Sequence, residues 1–257
     1  MAIRIWYQSS TAIGKNPVFK PYEEAIARNA RHVVRPDTIV DVHGVERMSA
    51  HYERSEYARY LNGISITRAA IRAEAEGYDA IAVGCYTDPC LAEVRDTVGI
   101  PSLYIMQTSM QVAGMLGRRF AFVSYSAANL GKMRELAERY GLADRLAAWG
   151  RFEAELARSD EWFSDPGPIV TKFTEQAERC AAEGADVIIP TCGVLNQVLR
   201  ENGVREVAGA MVLDGSSVLL KLTEAMVELR RTVGIGRIGR ALGPTVLREI
   251  EDAYGVV

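Results

Sequence analysis

The sequence predicts an α/β protein made of two similar halves, each with its own parallel β-sheet. Three observations predict this fold class: short apolar segments alternate with helical segments, several apolar segments end in polar loops, and one segment recurs 107 residues later. Short apolar strands that alternate with helices are typical of parallel sheets covered on both faces. The 257 residues suffice for one large domain or two small ones.

The first half begins with an apolar segment at residues 3–7, which ends in Gln8, Ser9 and Ser10. Further strands are predicted at 38–42, 80–83 and 103–105, with a helix rich in Ala, Arg and Glu at 65–76. The second half repeats this order, with strands at 119–124, 146–149, 187–190 and 207–212 and helices at 132–140 and 169–183. Two more helices are predicted at 219–231 and 237–254, the second interrupted near residue 243. We expect residues 1–107 and 216–257 to form the first half, and residues 108–215 to form the second.

The composition excludes several classes of function. Hydrophobic residues make up 48% of the chain, charged residues 25%, and the net charge is −3 with dispersed basic residues, so we expect no nucleic-acid partner. No segment approaches the roughly 20 apolar residues that cross a bilayer, so we expect no membrane partner. The N-terminus lacks the pattern of a signal peptide, and the four cysteines do not form a disulfide framework, which favours the cytoplasm. The histidines and cysteines lack metal-ligand spacing, so we expect no metal site.

An internal repeat places two cysteines at equivalent positions. Residues 72–85 align without gaps on residues 179–192, and Arg, Ala, Glu, Gly, Asp, Ile and the final Cys recur in place. The shared pattern predicts the end of a helix, a glycine near its C-cap and a buried strand, followed by Cys85 or Cys192. In open parallel sheets, ligands bind at this carboxyl edge of the strands. If the halves face each other across a pseudo-twofold axis, the two thiols meet in one cleft.

A packing role is the alternative for each cysteine, because a single buried cysteine is more often a small hydrophobic residue than a reactive one. Cys90 and Cys180 fall in predicted helical segments and have no counterpart in the other half, so we interpret them as packing residues. The equivalent positions of Cys85 and Cys192 favour a function for that pair.

Two thiols suit the inversion of a stereocentre beside a carbonyl group. One thiolate removes a proton from one face, one thiol adds a proton to the other, and the roles exchange for the opposite enantiomer. We expect each cysteine to stand where its strand leads into the next helix, whose dipole lowers the pKa of the thiol. The backbone N–H groups after both cysteines, together with Thr87, are candidates for stabilising the enolate.

The candidate substrate-binding residues follow the first strand of each half or follow the paired cysteines. They are Gln8, Ser9, Tyr86, Thr87, Ser124, Tyr125 and Gly193. A solvated turn is the alternative interpretation for the first two. We interpret Asp88 and Asp214 as helix caps or turn residues, because Asp is a favoured N-cap. A lone histidine such as His51 is more often a surface or core residue than a site residue.

These segments resemble the aspartate/glutamate racemase superfamily, and its hydantoin racemase branch most of all. The resemblance lies in Cys85-Tyr86-Thr87-Asp88-Pro89, in residues 76–81, 116–120 and 185–193, in Leu213-Asp214-Gly215 and in His51-Tyr52-Glu53. It implies two flavodoxin-like halves with the active site between them, Cys85 and Cys192 as the acid/base pair, and neither cofactor nor metal. It also implies a homo-oligomer.

The resemblance leaves the substrate open between a 5-substituted hydantoin, an amino acid and a related cyclic amide. It also leaves two other functions open. One is cis–trans isomerisation of a maleate-like compound, in which a cysteine thiolate adds to the double bond. The other is binding of a small molecule without catalysis.

Overall fold

The computed structural model describes residues 2–235 and 242–255 and confirms the predicted α/β fold with two sheets. Its strands are β1 (Arg4–Gln8), β2 (Ile39–His43), β3 (Ala80–Val83), β4 (Ser102–Tyr104), β5 (Phe120–Ser124), β6 (Leu146–Arg151), β7 (Val187–Pro190), β8 (Glu206–Val207) and β9 (Ala210–Val212). Its helices are α1 (Lys20–Val33), α2 (Glu56–Ala75), α3 (Leu91–Thr97), α4 (Ile105–Leu116), α5 (Leu130–Arg139), α6 (Glu161–Ser164), α7 (Gly167–Ala182), α8 (Gly193–Glu201), α9 (Gly215–Val233) and α10 (Pro244–Ala253).

The two sheets share the order of their first three strands. The first sheet runs β2-β1-β3-β4 and is parallel throughout. The second runs β6-β5-β7-β9-β8, and its strands are parallel except for β8. In both sheets the central strand that precedes a paired cysteine, β3 or β7, is buried along its whole length. The carboxyl ends of both strands therefore mark the edge where a ligand is expected.

The single strand predicted at residues 207–212 is wrong, because this segment contains a hairpin. Ala208 and Gly209 have positive φ angles of 48° and 80°, which turn the chain between β8 and β9. Two successive residues with positive φ favour the tight turns that join antiparallel strands. The pattern of apolar residues does not reveal this turn.

The internal repeat has the predicted structure in both halves. Gly77 and Gly184 follow the ends of α2 and α7 with φ angles of 75° and 93°, a backbone conformation that glycine adopts without strain. Asp79 accepts a hydrogen bond of 2.9 Å from the backbone N–H of Arg4, at the start of β1. Asp186 accepts one of 3.0 Å from the backbone N–H of Arg119, just before β5. The recurring Asp thus ties each cysteine-bearing strand to the first strand of its sheet.

Helix α9 follows the second sheet but packs against the first. It contacts β3, β4, α1 and α4, and its buried face includes Leu219, Leu220 and Val227. The buried carboxylate of Glu224 accepts hydrogen bonds from the backbone N–H of Arg35 and the hydroxyl of Thr38, between α1 and β2. The chain therefore returns to its first half after completing the second sheet.

Two predicted helices differ from those observed. Helix α2 begins nine residues before the predicted start at residue 65, because the Ser55 side chain caps it by accepting from the backbone N–H of Ala58. The exposed side chains of Tyr57, Tyr60 and Leu61 in its first turns hide the helical pattern. Of the helix predicted at 237–254, residues 237–241 lie outside the described residues, and α10 forms part of the rest.

Within residues 2–235 and 242–255, no helix is both long enough and apolar enough to cross a membrane.

Candidate active site

One small cavity of about 50 Å³ brings both repeat cysteines together. Cys85 and Cys192 both line it, each at the carboxyl end of its strand. The other lining residues come from the loops that follow strands of both sheets and from α1: Ser9, Ser10, Thr11, Tyr22, Met48, Tyr52, Glu53, Gly84, Tyr86, Thr87, Tyr125, Asn129, Leu156, Thr191, Gly193 and Val194. The cavity therefore lies between the two halves, as the repeat predicts.

The residues beside the two cysteines are closely packed against the surrounding atoms. A β-carbon added at Gly193 would overlap the Tyr22 hydroxyl and lie 3.0 Å from the backbone carbonyl oxygen of Gly84. A β-carbon added at Gly84 would overlap the Tyr7 hydroxyl. The residues beside both cysteines are therefore glycines because the backbone and two tyrosines approach closely there.

Two hydroxyl groups contact the Cys85 sulfur. Tyr52 Oη lies 3.3 Å from Cys85 Sγ, and Thr87 Oγ1 lies 3.2 Å from it. The two hydroxyl oxygens are 3.3 Å apart. Burial raises the pKa of Tyr52 well above its ordinary value, and charge on Cys85 raises it further, so the phenol stays protonated. Both hydroxyls are thus able to donate to a thiolate at Cys85.

Cys192 has a different environment. Burial raises the pKa of this thiol to about 12, opposed by the backbone N–H groups of Leu195 and Val194 in the first turn of α8. Charges on Glu53 and Cys85 raise it further. At neutral pH the Cys192 thiol is therefore protonated, which suits the donor of a proton.

The prediction that both cysteines precede a helix holds for one half only. Helix α8 begins at Gly193, directly after Cys192. In the first half, α3 begins at Leu91, and an irregular loop separates it from Cys85. The expectation of a helix dipole at Cys85 is therefore wrong, and hydroxyl donors occupy the place of the helix terminus.

The short helical turn Tyr52–Arg54 connects the two cysteines across the cavity. Tyr52 contacts Cys85, whereas the adjacent Glu53 lies near enough to Cys192 to raise its pKa. The guanidinium of Arg59 holds the turn in place by donating to the backbone carbonyl oxygens of Tyr52 and Glu53. The sequence singled out this segment only through the family resemblance at residues 51–53. His51 itself is exposed and does not line the cavity.

The structure brings five of the seven predicted substrate-binding residues to the cavity. They are Ser9, Tyr86, Thr87, Tyr125 and Gly193. Thr87 contacts the Cys85 sulfur, so its hydroxyl is already engaged there rather than free for an enolate oxygen. Ser9 bonds to Thr11 through their hydroxyl oxygens, 2.8 Å apart.

The other two predicted residues, Gln8 and Ser124, do not line the cavity. Gln8 accepts a hydrogen bond from the indole N–H of Trp6 at 2.8 Å and donates to the backbone carbonyl of Ser9 at 2.8 Å. Ser124 donates to the backbone carbonyl of Ser126 and accepts from its N–H. Both side chains therefore stabilise the strand ends, which is the turn role that the sequence left open for Gln8.

The predicted helix caps are partly correct. Asp214 caps α9 by accepting from the backbone N–H of Ser217 at 3.1 Å. Asp88 does not cap the next helix, α3, but accepts from the backbone N–H groups of Met106 and Gln107 at the start of α4. It also accepts a 2.6 Å hydrogen bond from the hydroxyl of Tyr140. Asp88 therefore fastens the loop after Cys85 to α4 and to the second half.

The other two cysteines pack as predicted, although one lies outside a helix. Cys180 is buried in α7, and burial raises the pKa of its thiol to about 11. Cys90 does not lie inside a helix; it precedes α3 with a positive φ of 51°. Its sulfur occupies the space where Gly63 of α2 lacks a side chain.

Among the described residues, no group of three or more His, Cys, Asp or Glu side chains could hold a metal ion.

Comparison with known proteins gives a consistent family. Residues 20–223 match the sequence profile described as Asp/Glu/Hydantoin racemase. A hydantoin racemase from Pseudomonas sp. (strain NS671) is 24% identical over 207 residues, which cover 80% of this chain and 81% of that protein.

Solved structures share the fold. Allantoin racemase from Klebsiella pneumoniae has a TM-score of 0.72 at 20% identity and covers 95% of this chain and 98% of its own. Glutamate racemase from Francisella tularensis subsp. tularensis SCHU S4 has a TM-score of 0.63 at 13% identity, covering 99% and 94%. Since the family profile spans most of the chain, the protein is an isomerase that belongs to the Asp/Glu/hydantoin racemase family.

Proposed function

We propose that this protein is a cofactor-independent racemase or epimerase of a small carbonyl compound with an acidic C–H bond, with Cys85 and Cys192 as its acid/base pair. One observation carries the proposal: two cysteines from equivalent positions of the repeat line the same narrow cavity. A cyclic ureide of the hydantoin type is the substrate that we propose. The names hydantoin racemase and allantoin racemase among the similar proteins support this class.

In the proposed reaction, the Cys85 thiolate removes the proton from the stereocentre. The electron pair of the broken C–H bond moves into the neighbouring carbonyl group and forms an enolate. The Cys192 thiol then gives its proton to the opposite face, so Cys85 ends as a thiol and Cys192 as a thiolate. The opposite enantiomer reacts by the reverse sequence.

The environments of the two sulfurs support this starting state. Hydroxyl groups of Tyr52 and Thr87 are placed to donate to a thiolate at Cys85, and burial keeps Cys192 protonated at neutral pH. The backbone N–H groups that directly follow Cys85 and Cys192 are the candidate donors for the enolate oxygen.

Hydrogen exchange and optical rotation test the proposal together. We expect one enantiomer of 5-methylhydantoin, incubated with the protein in D₂O near neutral pH, to lose its rotation while deuterium enters at the stereocentre. Cys85→Ser and Cys192→Ser should each abolish the loss of rotation beyond the rate without protein. Cys90→Ser is the matched control and should keep the activity, because Cys90 does not line the cavity.

Full activity in either Cys85→Ser or Cys192→Ser would contradict the acid/base assignment. A change in the double-bond absorbance of a maleate-like compound without solvent exchange would favour cis–trans isomerisation by thiolate addition. Binding of 5-methylhydantoin without exchange would favour a binding protein.

A further inference from the structure

Glu53 presents a buried carboxylate oxygen to the cavity. Its Oε1 atom is shielded from solvent and has no hydrogen-bond donor, although the residue lines the cavity. Burial raises the pKa of this carboxyl, while a hydrogen bond from Asn129 and the positive charges of Arg54 and Arg59 act in the opposite direction. A buried acceptor without a donor lowers stability, so a ligand that supplies the donor gains binding free energy there.

A second unpartnered acceptor faces the cavity from the other half. Asn129, in the short helical turn Ala127–Asn129 after β5, lines the cavity, and its Oδ1 is buried without a donor. This turn contacts the turn that carries Glu53. The two acceptors thus lie side by side at the junction of the halves, and a ligand with N–H groups would satisfy them.

The cavity offers no positive side chain to a carboxylate. Among its described lining residues there is no Lys, Arg or His, and Glu53 is the one acidic residue. A bound carboxylate would therefore face a like charge at short range, without a partner that offsets its loss of hydration. A neutral ligand with N–H donors avoids this penalty.

We propose that Glu53 determines substrate specificity by accepting a hydrogen bond from a substrate N–H group, selecting neutral cyclic ureides over ring-opened carboxylates. This inference rests on the proposed function, because it assigns the substrate class of the same site. A hydrogen bond from a neutral N–H to a carboxylate is stronger than one between neutral groups. The bond orients the ring between the two sulfurs, beside the turn that also places Tyr52 against Cys85.

A matched pair of ligands separates the N–H contribution from charge. 5-Methylhydantoin is neutral, whereas N-carbamoylalanine is the same compound with the ring opened, and it keeps ureide N–H groups but carries a carboxylate. Binding of each is measured by isothermal titration calorimetry near neutral pH to the full-length protein. The variants are Glu53→Ala, Glu53→Gln and the control Glu46→Gln, whose carboxylate is 80% exposed and pairs with Lys15 at the surface.

We expect the unmodified protein and Glu46→Gln to bind 5-methylhydantoin equally, and Glu53→Ala to bind it about tenfold to hundredfold more weakly. Glu53→Gln should lose less affinity for 5-methylhydantoin, since its amide oxygen can still accept a hydrogen bond. N-Carbamoylalanine should bind only to the two variants that lack the negative charge, Glu53→Gln and Glu53→Ala. Chemical unfolding of each variant checks that the fold is intact.

Equal binding of 5-methylhydantoin by Glu53→Ala and the unmodified protein would overturn the inference, as would equal affinity of the unmodified protein for both compounds. Failure of the unmodified protein to bind 5-methylhydantoin would overturn it too. Because binding needs no proton transfer, Glu53-dependent binding without racemisation would refute the proposed function alone.

Discussion

Replacing Tyr52 by Phe tests whether hydroxyl donors stabilise a thiolate at Cys85. The substitution removes one oxygen, which lies 3.3 Å from Cys85 Sγ, and leaves the buried ring in place. Thr87 remains as the second donor, 3.2 Å from the same sulfur. We therefore expect a thiolate at Cys85 to lose one of its two hydrogen bonds in the variant.

The magnitude follows from the strength of a hydrogen bond to a charged group. Such a bond contributes about 1.5–3 kcal/mol, so its loss should lower kcat/KM for racemisation about tenfold to hundredfold. The value of kcat/KM should fall by the same factor for both enantiomers, because the equilibrium constant of a racemisation is unity.

Polarimetry of 5-methylhydantoin measures this fall in kcat/KM. Tyr57→Phe is the matched control, since its ring is 70% exposed and lies outside the cavity. An unchanged kcat/KM in Tyr52→Phe, or an equal fall in Tyr57→Phe, would refute the role of Tyr52 as a thiolate donor.

Three further substitutions test charges described above. Burial raises the pKa of Cys192 to about 12, and the charge on Glu53 contributes to that rise. Glu53→Gln should therefore lower this pKa and speed the alkylation of Cys192 by iodoacetamide, measured by peptide mass spectrometry. An unchanged alkylation rate would contradict this. Burial raises the pKa of Asp88 to about 7, and the hydrogen bond from the Tyr140 hydroxyl opposes that rise. Tyr140→Phe should therefore lower the free energy of unfolding in urea by about 2 kcal/mol near pH 8, where Asp88 is ionised, and by less near pH 5. Equal losses at the two pH values would contradict this. Burial acts to raise the pKa of Glu224, but hydrogen bonds lower it below its ordinary value. At a pH above the ordinary Glu range, Glu224→Ala should lower the free energy of unfolding in urea by about 2–3 kcal/mol, and this difference should shrink as acid protonates the carboxylate. A difference that persists in acid would contradict this.

The cysteine pair could be predicted from the sequence because a local pattern encodes its position. The glycine after each helix and the Asp before each strand have the same structural role in both halves, so the repeat fixed the bounds of β3 and β7. A pseudo-twofold relation then required only that equivalent strand ends meet. The hairpin at Ala208–Gly209 could not be predicted in this way, because Ala208 has a positive φ angle, which residues other than glycine rarely adopt.

The remainder of the site depends on contacts distant in the sequence. Glu53 reaches the cavity because Arg59 holds its turn and Asn129 of the other half faces it, and no local pattern encodes that path. Gln8 is a residue that the sequence placed in the site and the structure does not. Because side chains alternate along a strand, Gln8 lies on the same face of β1 as Trp6, whose indole N–H donates to its side-chain oxygen. The position of a polar residue at a strand end therefore does not show whether its side chain reaches the cavity until the face it occupies is known.

The close packing at Gly84 and Gly193 also limits which ligands this cavity could be changed to accept. A side chain added at Gly193 would meet the Tyr22 hydroxyl, and one added at Gly84 would meet the Tyr7 hydroxyl, so neither position could carry a larger residue unless its neighbours moved. Met48 and Leu156 also line the cavity, and their flexible side chains could be shortened to make room for a bulkier ligand. Changes in cavity size are therefore easier to obtain at these two side chains than at the residues beside the cysteines.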